Sequence, residues 1–143
     1  MRALFVVVLL VAAGVSCAPP LVGDVPFDTI ARGDHCHGAS ADTLMVQNES
    51  DIPADWHKEW FGDADFDKHT AFAVALGLRY TGGFAVSIRA VRREEDGGVF
   101  VSYQTSAPKP GDLVTQALTH PCHIVRTPKI TGKAVFQNAA AGK

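Results

Sequence analysis

The 143-residue chain contains no Gly-x-Ser-x-Gly elbow, no His-Glu-x-x-His pair, no phosphate-cradling glycine loop and no dinucleotide fingerprint. Those gaps remove the common routes to an activated serine, a catalytic zinc or a bound nucleotide. No basic run interleaved with aromatics is present, which excludes the electrostatic footprint of a nucleic-acid binder. There is no internal repeat and no low-complexity tract, so neither a solenoid nor a disordered array is encoded. The longest apolar run, residues 3–15, falls short of the roughly 20 residues needed to span a bilayer as a helix.

That run has a different reading. Met1-Arg2 gives a short positive start, and small apolar residues follow until Gly14-Val15-Ser16-Cys17. This is the pattern of an export signal, to be set aside before fold is considered. The last four residues resemble a bacterial lipoprotein box, in which Cys17 becomes the lipid-carrying first residue of the mature chain. Glycine stands where leucine is usual. Ordinary cleavage near Ala18 is the competing reading, although Pro19 and Pro20 would hinder it. The organisation expected is therefore a signal over 1–17, a spacer over 18–25, one domain over 26–138 and a tail over 139–143. The localisation expected is the bacterial cell envelope, with a membrane tether through Cys17, or secretion if that residue is lost. Without Arg2 the chain carries 12 basic side chains against 15 acidic. The remaining length suffices for one hydrophobic core but not two.

Strand signals dominate the domain. Phe72, Val74, Leu76 and Leu78 alternate with Ala71, Ala73, Ala75 and Gly77, a period of two that gives one bulky and one small face. Thr81-Gly82-Gly83 then turns the chain. Phe84, Val86, Ile88 and Ala90 lead to the charged tip at 94–98, and Val99, Val101 and Tyr103 return from it. Ala107-Pro108-Lys109-Pro110-Gly111-Asp112 is a rigid loop that no sheet can cross. Further strands are expected at 26–32, 43–48, 113–117, 122–127 and 133–137. One helix is expected over 50–62, with Ser50 or Asp51 as cap, Pro53 in its first turn, Gly62 as stop, and Ile52, Trp56 and Trp60 on one face. The fold class is mainly β, an antiparallel sandwich or partly open barrel with one short helix in the N-terminal half.

Chemistry concentrates in Asp34-His35-Cys36-His37 and His120-Pro121-Cys122-His123, which hold four of the six histidines and both cysteines that survive removal of the leader. In an oxidising compartment a Cys36 to Cys122 disulfide is the simplest reading. A zinc or copper site drawing on His35, Cys36, His37, His120, Cys122 and His123 is the alternative, though the spacing matches no zinc-finger pattern. Unpaired cysteines among surface histidines form the third. Cys122 beside His123 does not make a nucleophile and base, because neighbouring strand residues point to opposite faces. His57 beside Glu59 and Asp67 near His69 are ordinary surface combinations. No catalytic residue and no cofactor is assigned.

The order of turns carries a resemblance. Asp55-Trp56 and Trp60, Asp65-Phe66, Gly77 leading to Thr81-Gly82-Gly83-Phe84, Pro108 and Pro110-Gly111, then Thr119, Pro121, Ile124-Val125 and Lys129 are similar to the PrcB C-terminal domain family. The likeness extends from about Phe27 to Phe136, with Phe84 and Cys122 where the family usually carries tyrosine. The family is named for an accessory subunit of a bacterial surface protease complex. The resemblance implies an exported, non-catalytic β-domain that associates with or stabilises a protease. Thr81, Gly82, Gly83, Phe84, Pro108, Pro110 and Gly111 are the candidate partner-binding residues, because loops held by a sheet commonly carry recognition. A protease inhibitor of the chagasin type, which also presents a Thr-Gly-aromatic loop, and an envelope metal-binding protein are the alternative functions.

Overall fold

A computed structural model of the chain describes residues 22–36, 40–62 and 64–139. The signal, Cys17, His37 and residues 140–143 lie outside the described residues. Among the described residues eight strands form two four-stranded sheets. The strands are β1 (Gly23–Asp24), β2 (Asp28–Gly33), β3 (Ala41–Val46), β4 (His69–Leu76), β5 (Ala85–Arg93), β6 (Val99–Ser106), β7 (Cys122–Pro128) and β8 (Ala134–Asn138). One sheet has the order β1-β5-β6-β8 and the other β2-β7-β4-β3. All pairings are antiparallel except β6 with β8. The chain is a β-sandwich.

The two faces of β4 explain the layering. Phe72 and Val74 join Val86, Ile88, Val91, Val99, Val101 and Val125 in a core between the sheets. Ala71, Ala73 and Ala75 point the other way, into a second core with Cys36, Val46, Ile52, Trp56, Phe61, Cys122 and Ile124. Three alanines in a row keep that face shallow, so the segment at 49–62 can lie close against the sheet. β4 is therefore buried on both sides, as its near-continuous apolar sequence requires.

The covering segment is not the expected helix. It contains two 3-10 turns, Glu49–Asp51 and Lys58–Phe61. Asp51 does not cap a helix running forward, because its Oδ2 accepts from the backbone N–H groups of Gln47 at 2.8 Å and Asn48 at 3.0 Å. Ile52 is extended (φ −78°, ψ 116°), the conformation that a following proline favours. Ile52 and Trp56 are nonetheless buried and Trp60 is partly so, with Trp56 and Phe61 rings 6.0 Å apart. The every-fourth spacing correctly marked the residues that face the sheet while misjudging the backbone between them.

The strand expected at 113–117 is also absent. Residues 112–116 are coil, and Leu113 is fully exposed. Both sheets place their four strands elsewhere, leaving this stretch only a local partner in the Thr81 loop. At the N-terminal side, Gly23 and Asp24 of the spacer pair with Arg93 and Arg92.

Candidate functional site

Residues 34–36 and the connections 77–84 and 107–121 lie at one end of the sandwich, where β2, β4 and β6 finish and β3, β5 and β7 begin. Backbone hydrogen bonds lace them together. Cys36 N–H donates to His120 O at 3.0 Å, and His120 N–H donates to Asp34 O at 2.7 Å. Arg79 and Thr119 exchange two bonds of 2.8 Å, and Gly82 N–H donates to Thr115 O at 2.9 Å. The Thr119 hydroxyl, buried, donates to Thr81 O at 2.9 Å. Thr119→Val is therefore expected to lose one hydrogen bond and leave a carbonyl short of a partner, costing about 1 kcal/mol in urea unfolding.

Glycine is required where these loops touch. Gly83 has φ +86°, and a Cβ there would sit 2.9 Å from a Val114 methyl and 3.1 Å from Pro108. At Gly82 the same atom would meet the Thr115 hydroxyl at 3.0 Å. Of the candidate residues, Gly83 is thus brought against Pro108 and Gly82 against Thr115, whereas Pro110 and Gly111 form an exposed tip. That tip is closed by Lys109 N–H donating to Asp112 Oδ2 at 2.7 Å.

Cys36 and Cys122 form a disulfide across a sequence separation of 86 residues, with Cα atoms 5.8 Å apart. It ties the N-terminal loop to the start of β7 and is buried in the second core. Both sulfurs of the candidate metal set are thus joined to each other. His35 and His120 lie opposite each other in an isolated parallel bridge, and His37 is outside the described residues. Among the described residues no group of three or more His, Cys, Asp or Glu side chains is placed to hold a metal ion.

His123 departs from that cluster. It points into the layer between the sheets, opposite to Cys122, as strand alternation requires. Its Nδ1 accepts from the backbone N–H of Ile88 at 2.8 Å, and Nε2 lies 2.9 Å from Thr29 Oγ1. An Nδ1 that accepts carries no proton, so the ring is neutral with hydrogen on Nε2, donating to the threonine. Ile88 needs this acceptor because β1 pairs only with Arg92 and Arg93, leaving the Ile88 edge of β5 uncovered by that strand. Burial, with Arg32 opposite it on β2 as a second cause, lowers the His123 pKa from 6.5 to about 4. Sequence reading grouped His123 with the metal candidates. Its role as a cross-sheet acceptor depends on strand placement that no local motif encodes.

Arg79 likewise belongs to no motif that the sequence displays. Its guanidinium stacks on the Phe84 ring, 5.3 Å from the centroid, with Nε buried and unpartnered. Lys129, in contrast, was part of the family-like order. Its Nζ donates to Gln47 O at 2.8 Å and Phe66 O at 2.6 Å, fastening the covering segment to the end of β7.

Apolar side chains gather on the laced end. Of the six large hydrophobic residues that are exposed among the described residues, Leu78, Tyr80, Leu113 and Leu118 lie in its loops. Tyr80 is 78% exposed. A turn needs none of these side chains to be apolar.

Residues 70–128 match the family model described as PrcB C-terminal. Over that segment the chain is similar to the PrcB C-terminal family, a narrower stretch than the likeness from Phe27 to Phe136. The segment supplies β4 and β7, the inner pair of one sheet, and β5 and β6, the inner pair of the other. It also contains the 77–84 and 107–121 loops. The strands outside it are the sheet edges. No curated protein and no solved structure matches the chain.

Proposed function

We propose that the chain is an exported, non-catalytic accessory domain that docks on an envelope or secreted protease through the laced loop end and stabilises it. The observation that carries this reading is the exposed apolar set Leu78, Tyr80, Leu113 and Leu118 on loops that the family segment contains. These loops are held by backbone bonds and a disulfide, so little ordering entropy is lost when a partner binds. Tyrosine supplies a broad, rigid contact of the kind enriched at interface centres. The disulfide supports an oxidising, extracytoplasmic location. Lipidated Cys17 would tether the domain through the spacer. No helix among the described residues is long and apolar enough to cross a membrane.

Pull-down of the tagged full chain from native envelope extract is expected to recover a protease. Tyr80→Ser with Leu113→Ser should lower recovery about tenfold or more, since central contacts of this kind are worth roughly 2 kcal/mol together. The melting temperature should stay within a degree or two, because both side chains are exposed. Recovery of no protease, or equal recovery by the double variant, would contradict docking through this face.

A further inference from the structure

We propose that the cleft between the open edges of the two sheets binds the carboxylate of a short extended peptide through Arg79. The cleft has a volume of about 720 Å³ and is lined by Asp42, Thr43, Arg79, Phe84, Tyr103 and Asn138, among others. It opens where the sheet orders end, at β3 on one side and β8 on the other. Small-molecule and peptide sites typically combine a cavity of this size with a few fixed polar groups.

Arg79 is the group that selects the ligand. None of the ion pairs seen among the described residues, His57–Glu59, Lys68–Asp65, Arg92–Asp24 and Arg126–Asp28, involves it. Its Nε is sealed from solvent without an acceptor, an unfavourable state for a cationic donor. Stacking on Phe84 fixes the guanidinium plane, and the two backbone bonds to Thr119 fix its Cα. A planar, pre-positioned guanidinium is complementary to a carboxylate, which it holds with two parallel hydrogen bonds. Asp42 in the same lining repels a dianion such as phosphate more strongly than a single negative charge. The peptide part follows from β3. As an edge strand, Ala41–Val46 is paired only with β4; the Thr43 N–H already donates to Asp42 Oδ1 at 2.7 Å, and the other outer backbone groups can bond an added strand at the cleft mouth.

This site is separate from the protease-docking reading, since it requires a carboxylate and not Tyr80 or Leu113. The probe is N-acetyl-trialanine with a free carboxylate, titrated into the full chain and followed by amide and guanidinium NMR shifts. Saturable shifts are expected at Arg79 Nε–H and along the backbone amides of β3. The same peptide as its C-terminal amide should bind about tenfold more weakly or worse, the loss of one charge-assisted pair. Arg79→Gln should produce a similar loss, Arg79→Lys a smaller one, and Leu113→Ser none. The acid and amide comparison on unaltered protein stands even if a variant fails to fold. No saturable shift, equal binding of acid and amide, tighter binding of inorganic phosphate, or binding indifferent to Arg79→Gln would each overturn the assignment.

Discussion

Replacing Cys36 and Cys122 together by alanine is expected to lower stability by about 3–5 kcal/mol, read as a drop in melting temperature on the order of 10–20 °C. The bridge spans 86 residues of sequence, so in the unfolded chain it removes much of the conformational freedom of that loop. Its local effect should be equally visible. Cys36 N–H bonds to His120 O, and His120 N–H bonds to Asp34 O, so both amides are protected only while the N-terminal loop stays in place. Hydrogen exchange at these two positions should accelerate in the alanine pair more than exchange at the Val101 amide in β6. Equal melting temperatures for oxidised and reduced protein would show that the bridge contributes little.

The second large effect is acid destabilisation through His123. Its folded pKa, about 4, lies below the 6.5 of the unfolded chain, so between those values the unfolded state binds the extra proton. The stabilising contribution is fully present above pH 6.5 and is lost as pH falls toward 4, below which the dependence flattens. The ceiling is about 3 kcal/mol by linkage. Protonation at Nδ1 would also turn the acceptor of the Ile88 N–H into a donor and part the two sheets at that point. His123→Asn keeps an acceptor near the Nδ1 position and should flatten the pH dependence between 6.5 and 4. His123→Leu leaves the Ile88 N–H and the Thr29 hydroxyl without partners and should cost about 1–3 kcal/mol at neutral pH. Urea unfolding at pH 7 and pH 4.5 distinguishes these cases. An unchanged pH slope in the asparagine variant would contradict the role given to His123.

Much of the sandwich is legible in the sequence because β4 to β7 satisfy several rules at once. The alternation of Phe72 and Val74 with three alanines encodes both cores. The double glycine at 82–83 and the prolines at 108 and 110 encode the places where the chain must leave a sheet. The pairing of Cys36 with Cys122 was readable from compartment and cysteine count. The covering segment was not, because Trp56 and Trp60 fit a helical stripe while Pro53 and the backward bonds of Asp51 break the backbone into short turns. Nor was the parallel direction of β8, which depends on a crossover from the other sheet rather than on anything in residues 134–138. The candidate loops were named individually, but their lacing needs distant partners, Arg79 with Thr119 and Gly82 with Thr115. Arg79 itself becomes noticeable only when burial removes an acceptor from its Nε.

Photocrosslinking places the docking face directly. A benzophenone side chain introduced at Leu113, on the laced end, is compared with one at Val135, which is also exposed but lies at the opposite end, beside Phe100. Each chain is expressed in its native envelope, irradiated, and the adducts are identified by mass spectrometry. The expected result is a protease adduct from position 113 and none from position 135. A protease adduct from position 135 alone, or from neither position, would contradict the claim that this domain serves a protease through its laced loops.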